Sequence, residues 1–437
     1  MNKDIGKMTI AIIGVGYVGL PLSMGLVAAG HKVIGIDYNK AWVDTLNNGQ
    51  SNIVDVTTEE LTNALENKLF HAVNEYRYVA QADAILICVP TPLNSTKEPD
   101  LKYIVSAVKG MMPYLKKGVI ISLESTTYPG TTEELIVRPI EKEKDWKVGE
   151  DFFACYSPER VDPGNQKFSV MNTPKVIGGY TPLCLEKGSK LYRSFLKEVV
   201  EVSSTQVAEM SKLLENTFRC VNIALINELT MMCERMNIDI WEVIKGASSK
   251  PFGFMAFYPG AGVGGHCIPL DPLYLGWEAR KYNYFTKFIE LATDINSNMP
   301  HFAVGQIEKI LAEEGKVIKS SKILLMGMSY KKDIGDMRES PSLEVYKLLK
   351  MRGNKPSFYD PYIESFLDGT EEVKGITLSE ESVSKFDIVI ILVEHSNIEY
   401  EWVVKHSQLV YDVKNVCKDI VSDNVFKLGE NIDARRK

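Results

Sequence analysis

The sequence predicts an α/β protein: two parallel-sheet domains joined by a helical central domain with one long helix. Three observations predict it. A strand, a glycine turn and a helix open the chain; Ser204 to Met236 contains neither glycine nor proline; and a second strand–loop–helix pattern opens at Lys322. A chain of 437 residues is long for one domain. The boundaries read from texture are 1–203, 204–316 and 317–437.

Met8 to Ile13 is a short apolar run, followed by Gly14, Gly16 and Gly19 and then by the helical pattern LPLSMGLVAAG, which closes at Gly30. His31 to Ile36 is the next strand, and it ends at Asp37, 23 residues beyond Gly14. A lone GxGxxG is a weak signal, but one that follows a strand, opens a helix and meets an acid at this distance is the dinucleotide fingerprint. The first two glycines let the turn and a pyrophosphate come close, the third lets helix and strand pack, and the helix N-terminus favours phosphate charge. The domain is therefore expected to be Rossmann-like. Gly14, Gly16, Tyr17, Val18 and Gly19 would cradle the cofactor and Asp37 would hold the adenosine ribose, repelling a 2'-phosphate and so favouring NAD over NADP. Further strands are expected at Ala84 to Val89, Gly118 to Ser125, Phe152 to Pro158 and Lys175 to Gly179. The first two end in the loops PTPLN (Pro90, Thr91) and TTYPGTT (Thr127), and Glu159 and Arg160 follow the third, at the strand ends where ligands bind in such sheets.

From Ser204 the spacing predicts one long helix, capped by Ser204 or Thr205, with shorter helices at Ile240 to Ala247 and Asn283 to Asn298. Lys212 and Asn216 lie four apart on one face of the long helix. An isolated lysine there is ordinarily a solvated charge. Next comes the loop FYPGAGVGGHCIPLDP, which places Cys267 among Gly260, Gly262, Gly264 and Gly265. A free cysteine is ordinarily a small buried hydrophobe, which fits Cys88, Cys220 and Cys233 in apolar strand or helix patterns. Cys267 has no such pattern, and a polar, accessible setting is the one in which a thiol reacts, so it is the candidate nucleophile.

KILLMGMSYKKD and PSLEVYKLLKMRG repeat the strand–loop–helix layout. KPSFYDP, FDIVIILVEH and LVYDVKN supply three more strands, LVYDVKN being read as the last. The glycine fingerprint is missing, so the expected ligand is a different nucleotide. Lys331, Lys332 and Arg338 in the loop after the first of these strands are candidate phosphate contacts, although such a charge run is usually solvated.

A net charge of −7 argues against a nucleic-acid or anionic-membrane partner. Seven scattered cysteines form no CxxC pair and no zinc spacing, so no metal site is expected and reduced thiols in a cytoplasm fit best. The N-terminus runs into a strand without a signal peptide, and no apolar run approaches the ~20 residues that span a bilayer.

Taken together, the two nucleotide-type sheets, the helical middle and GGHCIPLDP resemble the UDP-glucose/GDP-mannose dehydrogenase family over nearly the whole chain. LESTTYPGTTEEL, VGEDFFACYSPERVDPGN, EMSKLLENTFRCVNIALINEL and KPFGFMAFYPGAGVGGHCIPLDP look most like its UDP-N-acetylglucosamine branch. The UDP-glucose branch typically has serine before the cysteine and lysine before the aspartate, where this chain has His266 and Leu270. The resemblance implies oxidation of a sugar C6 alcohol to a carboxylate with two NAD in succession, NAD on the first sheet and a UDP-sugar on the last. Carried over by motif, Cys267 is the nucleophile and Lys212 and Asn216 stabilise charge at C6. Asp271 assists base chemistry, and Glu159 and Thr127 position water. Pro90, Thr91, Thr127 and Arg338 join the cofactor set; Glu159, Arg160, Lys212, Asn216, Tyr258, Gly264 and Lys331 join the substrate set. A homodimer through the central helix is implied as well. Whether the sugar is N-acetylglucosamine or its galacto or manno epimer stays open, as does the role of His266. A two-electron hydroxyacid dehydrogenase leaves the last third unused, and a non-catalytic NAD sensor leaves GGHCIPLDP unexplained.

Overall fold

The computed structural model describes residues 6–53, 55–94, 98–160, 168, 170–265 and 267–435. His266 and the VDPGN stretch named above lie outside them. The chain divides into two compact units, and neither is contiguous: the first is Met1–Glu215 with Leu273–Asn283, the second Asn216–Pro272 with Tyr284–Lys437.

The first unit is built on an eight-stranded sheet of β1 (Thr9–Ile13), β2 (Lys32–Ile36), β3 (Phe70–Val73), β4 (Ala84–Ile87), β5 (Ile120–Leu123), β6 (Phe153–Tyr156), β7 (Lys175–Gly179) and β8 (Val199–Val202), in the order β3-β2-β1-β4-β5-β6-β7-β8. Ile10–Ile13, Ala84–Ile87 and Ile120–Leu123 are buried throughout, as expected of parallel strands covered on both faces. Neighbours run parallel except β6 and β7. The order reverses between β1 and β4, and a doubly wound sheet takes its ligand at the carboxyl end of that crevice.

The second unit holds β9 (Ile323–Met326), β10 (Ser357–Tyr359), β11 (Ser365–Asp368), β12 (Glu371–Lys374), β13 (Ile388–Ile391), β14 (Val410–Asp412) and β15 (Val425–Lys427). Five of them form a wholly parallel sheet, β10-β9-β13-β14-β15, while β11 and β12 form a separate antiparallel pair. LVYDVKN is thus not the last strand. β15 follows it, three residues long and too short to show a pattern.

The central helix runs from Thr205 to Met236, and the Ser204 hydroxyl accepts from the Val207 N–H at 3.2 Å, so Ser204 is its cap. Ile240–Ser248 forms as expected. The helix expected to stop at Asn298 instead spans Lys287–Glu313 with Pro300 inside it. Proline in a helix interior costs about 3 kcal/mol. Met299, Ala303, Val304, Ile307, Ile310 and Leu311 are all buried on that helix, and at about 1.5–3 kcal/mol per large apolar side chain their burial outweighs the lost bond. Among the described residues no helix is long and apolar enough to cross a membrane.

Candidate functional site

The fingerprint turn has the geometry its glycines require. Gly14 sits at φ +88°, and a Cβ there would lie 2.8 Å from the Cys88 carbonyl oxygen; one on Gly19 would lie 1.9 Å from that of Gly14. Beside Gly16 a Cβ would meet open space within 4 Å. The helix that follows, Gly19–Ala28, has Val18 at its N-cap, no side-chain cap and no acidic residue in its first turn. Its first N–H groups therefore keep their positive end for an anion. The Asp37 carboxylate accepts from the Val15 N–H at 3.2 Å and the Asn39 N–H at 3.0 Å, which fixes it beside the turn. Tyr17 is half exposed. This open glycine cradle, uncapped helix end and fixed acid suit an NAD pyrophosphate and ribose.

The loops after β4 and β5 are tied together. Thr91 donates to the Thr126 carbonyl at 2.8 Å, and the Tyr274 hydroxyl donates to the Thr91 carbonyl. Pro90, one residue earlier, is exposed. Thr127 is 1% exposed, and its hydroxyl has no hydrogen-bond partner among the described residues. A buried hydroxyl in that state costs about 1–3 kcal/mol, which makes it a candidate ligand contact. Past β6, Glu159 accepts from the Arg160 N–H at 2.7 Å and faces Lys175 at 3.1 Å. The Arg160 guanidinium meets Glu215 at 2.8 Å and donates to the Pro174 carbonyl at 2.7 Å.

One residue that sequence reasoning missed holds this region together. Glu209 on the central helix is fully buried and accepts from Gly130 N–H at 2.6 Å, Thr132 N–H at 2.9 Å and Thr132 hydroxyl at 2.7 Å. It ties the TTYPGTT loop to the helix that carries Lys212. Burial pushes its carboxyl up to about 7, against the pull of those hydrogen bonds.

Lys212 is not a solvated charge. It is 8% exposed and has no hydrogen-bond or ion-pair partner among the described residues. One turn further along, Asn216 donates its amide to Asp271, which is buried. The Asp271 N–H in turn donates to the Cys267 carbonyl at 2.8 Å. The Asp271–Lys281 helix was not foreseen, although Pro272 in its first turn is a helix-start signal. Cys267 thus lies one turn ahead of a helix N-terminus, the end at which negative charge is favoured. It is exposed, whereas the other six cysteines are buried.

The glycine loop packs on the second sheet's loops. At Gly264 a Cβ would lie 2.7 Å from the Tyr330 side chain and 2.8 Å from the Glu339 carbonyl, so the close approach is to protein. Gly260 N–H donates to Asn227 at 3.1 Å, and Asn227 donates to Asn296 at 2.9 Å, a buried amide relay from loop to helix. Tyr258 is exposed and stacks on Trp241. Lys331 is half buried, and its carbonyl accepts from Ser329 at 2.7 Å. His395 and Asp360, both buried and 3.2 Å apart, brace the same loop; Asp333 N–H donates to His395 Nδ1 at 3.0 Å. Arg338 is exposed and forks onto Asp336 at 2.7–3.1 Å. Among the described residues no group of His, Cys, Asp and Glu could hold a metal ion.

Three domain models of the UDP-glucose/GDP-mannose dehydrogenase family match the chain: the NAD binding domain over residues 8–196, the central domain over 206–298 and the UDP binding domain over 324–419. The chain is 34% identical to the UDP-N-acetyl-D-mannosamine dehydrogenase of Escherichia coli (strain K12) over 426 residues, which is 94% of this chain and 99% of that one. It is also 34% identical to the UDP-N-acetyl-D-glucosamine 6-dehydrogenase of Salmonella typhi over 430 residues, 96% of this chain and 99% of that one. The solved UDP-D-ManNAc dehydrogenase from Pyrococcus horikoshii superposes with a TM-score of 0.89 at 30% identity, covering 97% of this chain and all of that one.

Proposed function

The chain belongs to the UDP-glucose/GDP-mannose dehydrogenase family and is an NAD-dependent nucleotide-sugar dehydrogenase, and from that premise we propose a four-electron oxidation of the C6 alcohol of a UDP-N-acetylhexosamine through a thioester on Cys267. The observation that carries it is the run on and beside the central helix. A buried Lys212, without a partner among the described residues, precedes by one turn an Asn216 bonded to Asp271, and Asp271 is bonded to the Cys267 backbone. A buried cation is costly unless an anion meets it. Developing oxyanion charge at C6 is such an anion, which suits Lys212 and Asn216 to transition-state stabilisation. Asp271 is the adjacent acceptor for base chemistry.

NAD, when bound, accepts the hydride in each oxidation. The Cys267 sulfur adds to the C6 aldehyde to give a thiohemiacetal, which keeps the aldehyde from leaving; its oxidation gives a thioester. Water, oriented by Thr127 and Glu159, adds to the thioester carbonyl. The C–S bond breaks, the thiolate takes a proton, and the uronic acid departs. Lys331 serves the diphosphate, Arg160, Tyr258 and the Gly264 backbone the substrate, and Pro90, Thr91, Thr127 and Arg338 the cofactor side.

UDP-N-acetylglucosamine is the first substrate to try, by the motifs of the sequence. The manno and galacto epimers stand beside it, because relatives named for N-acetylmannosamine, N-acetylglucosamine and N-acetylgalactosaminuronic acid are 34–35% identical to this chain. The test is NADH formed per sugar, run to completion with UDP-N-acetylglucosamine, UDP-N-acetylmannosamine, UDP-N-acetylgalactosamine and UDP-glucose, for the wild type and Cys267→Ser. Two NADH per N-acetylhexosamine in the wild type and no carboxylate from the serine variant support the reading. One NADH, or carboxylate from Cys267→Ser, overturns it.

The central helix also supports a homodimer. Val207, Leu214, Phe218, Leu225, Met232 and Met236 are exposed, and spacings of seven and four put them on one face along the whole helix. A matching copy would bury that stripe symmetrically. Light scattering should give twice the monomer mass, and Phe218→Lys should shift it toward monomer; a monomeric wild type refutes the assembly.

A further inference from the structure

In a parallel sheet the first residue of each strand lies at the edge remote from the ligand, and the last residue lies near it. The eight-stranded sheet breaks this rule past one pairing, where β7 and β8 both run against the other six strands. β7 runs antiparallel to β6, with Cys155 opposite Gly179 and Tyr156 opposite Gly178. The reversal brings the first residue of β7, Lys175, to the carboxyl edge of β6, just where Glu159 leaves the sheet. The pairing continues beyond the strands: the Ser157 hydroxyl donates to the Val176 carbonyl at 2.7 Å, and Lys175 Nζ then meets Glu159 Oε2 at 3.1 Å.

Lys175 has a second anion behind it. Its Nζ lies 2.7 Å from Oε2 of Glu124, the residue that follows β5. The other Glu124 oxygen accepts from the Ser122 hydroxyl at 3.1 Å and from the Tyr192 hydroxyl. Lys175 and Glu124 are both buried, whereas the Glu159 side chain is 14% exposed. The array therefore has a closed rear and an open front. Among the described residues, its thiol and phenol neighbours are neutral and its guanidinium neighbour is turned elsewhere. Burial pushes the thiols of Cys88 and Cys155 and the Tyr192 phenol well up, so all three stay protonated; Arg160 is engaged with Glu215 and Pro174.

Such an array is a poor device for stability. Desolvation costs several kcal/mol per buried ion, and apolar replacements of buried pairs are often neutral or better. What it does supply is a fixed carboxylate. Glu159 has one oxygen on Lys175 and the other on the Arg160 N–H at 2.7 Å, so the plane of its carboxylate is set. We propose that Lys175, anchored from behind by Glu124, is the positioning residue for Glu159, holding its carboxylate charged and oriented for the water that hydrolyses the Cys267 thioester. This rests on the reading of Glu159 and Cys267 given above.

The step in question is hydrolysis alone, so the test separates it from the two oxidations. Wild type, Lys175→Met, Lys175→Arg and Glu124→Gln are mixed with excess NAD and whichever UDP-N-acetylhexosamine the wild type oxidises. NADH is followed from the first turnover, and intact mass reports any uronyl adduct on the enzyme. Lys175→Met should show a burst nearing two NADH per site, a mass adduct, and steady turnover slowed by about tenfold to a hundredfold, less than the ~10²–10⁴-fold of a lost acid–base group because Glu159 itself remains. The sugar KM should not rise. Lys175→Arg, which keeps the charge, should recover most of the rate and lose the adduct. Equal slowing of burst and steady state without adduct makes Lys175 structural only and overturns the proposal, as does wild-type hydrolysis in Lys175→Met. Should that variant fail to fold, Glu124→Gln is decisive: a measurable adduct supports the clamp and its absence overturns it. A wild type giving one NADH per sugar overturns the thioester reading itself, and shows it before any variant is made.

Discussion

Replacing Glu209 by glutamine tests the local electrostatics most directly. Burial raises this carboxyl from 4.5 to about 7. Because the folded pKa lies above the unfolded one, the folded state holds its proton longer; the associated stability is full below about pH 4.5 and is lost as pH rises through 7. At 1.36 kcal/mol per unit, the loss across that window is about 3 kcal/mol. Glu209→Gln abolishes the titration. It also keeps the two bonds from Thr132 while turning an NH2 toward the Gly130 N–H, a pH-independent cost of about 1–3 kcal/mol. The variant should therefore be less stable than wild type near pH 5, and the gap should close or reverse by pH 8. Thermal scans of both proteins from pH 5 to 8 read this as a difference in Tm that moves by roughly 6–12 °C, taking about 2–4 °C per kcal/mol for a unit of this size. Parallel Tm curves would refute the assignment and show that the three hydrogen bonds outweigh burial.

Three further outcomes follow from the geometry. Thr127→Val swaps a buried hydroxyl with no partner among the described residues for a methyl of equal shape, so it should leave thermal stability unchanged or raise it by about 1 kcal/mol while lowering turnover; a clear loss of stability would mean the hydroxyl is satisfied within the fold. Asp37→Ala should raise the calorimetric Kd for NAD by about tenfold to a hundredfold and narrow the gap to NADP, and an unchanged Kd would move the ribose elsewhere. Asn216→Leu removes a donor from the buried Asp271 carboxylate, and kcat should fall by about a hundredfold or more; a variant within a few-fold of wild type would take Asn216 out of the chemistry.

The first sheet and its turn were legible because the signals are local: a strand, three glycines at fixed offsets and an acid are all decided within some thirty residues. The exposure of Cys267 was legible for the opposite reason, since it sits in a glycine-rich loop with no strand or helix pattern around it. What escaped was set by tertiary packing. Pro300 is a stop signal that burial of Met299 and the residues after Ala303 overrides. β8 and β15 are short strands whose existence depends on a neighbour to pair with. Glu209, Glu124 and Lys175 are charged residues inside helix or strand patterns, where a sequence reads them as solvent-facing; only the reversal of β7 and the loop folded over the central helix reveal what they meet. Asp271 and Pro272 did carry a readable helix-start signal, hidden because the proline also fitted the stiff flank of a loop.

The first unit closes with Leu273–Asn283, far downstream of Glu215. Tyr274 reaches the Thr91 carbonyl, Trp277 packs on Tyr128 at 5.2 Å between ring centroids, and Lys281 lies over both rings. On a ribosome adding about 5–20 residues per second, that closing helix arrives roughly 3–14 s after Glu215 has been made. For that interval the nascent sheet carries an unsealed Tyr128 and Thr91 while the chain is already committed to the other unit. A gene cut anywhere between codons 216 and 272 makes the interval permanent. The smallest self-sufficient version of the nucleotide unit is therefore a spliced one, with 1–215 joined through a linker to 273–283.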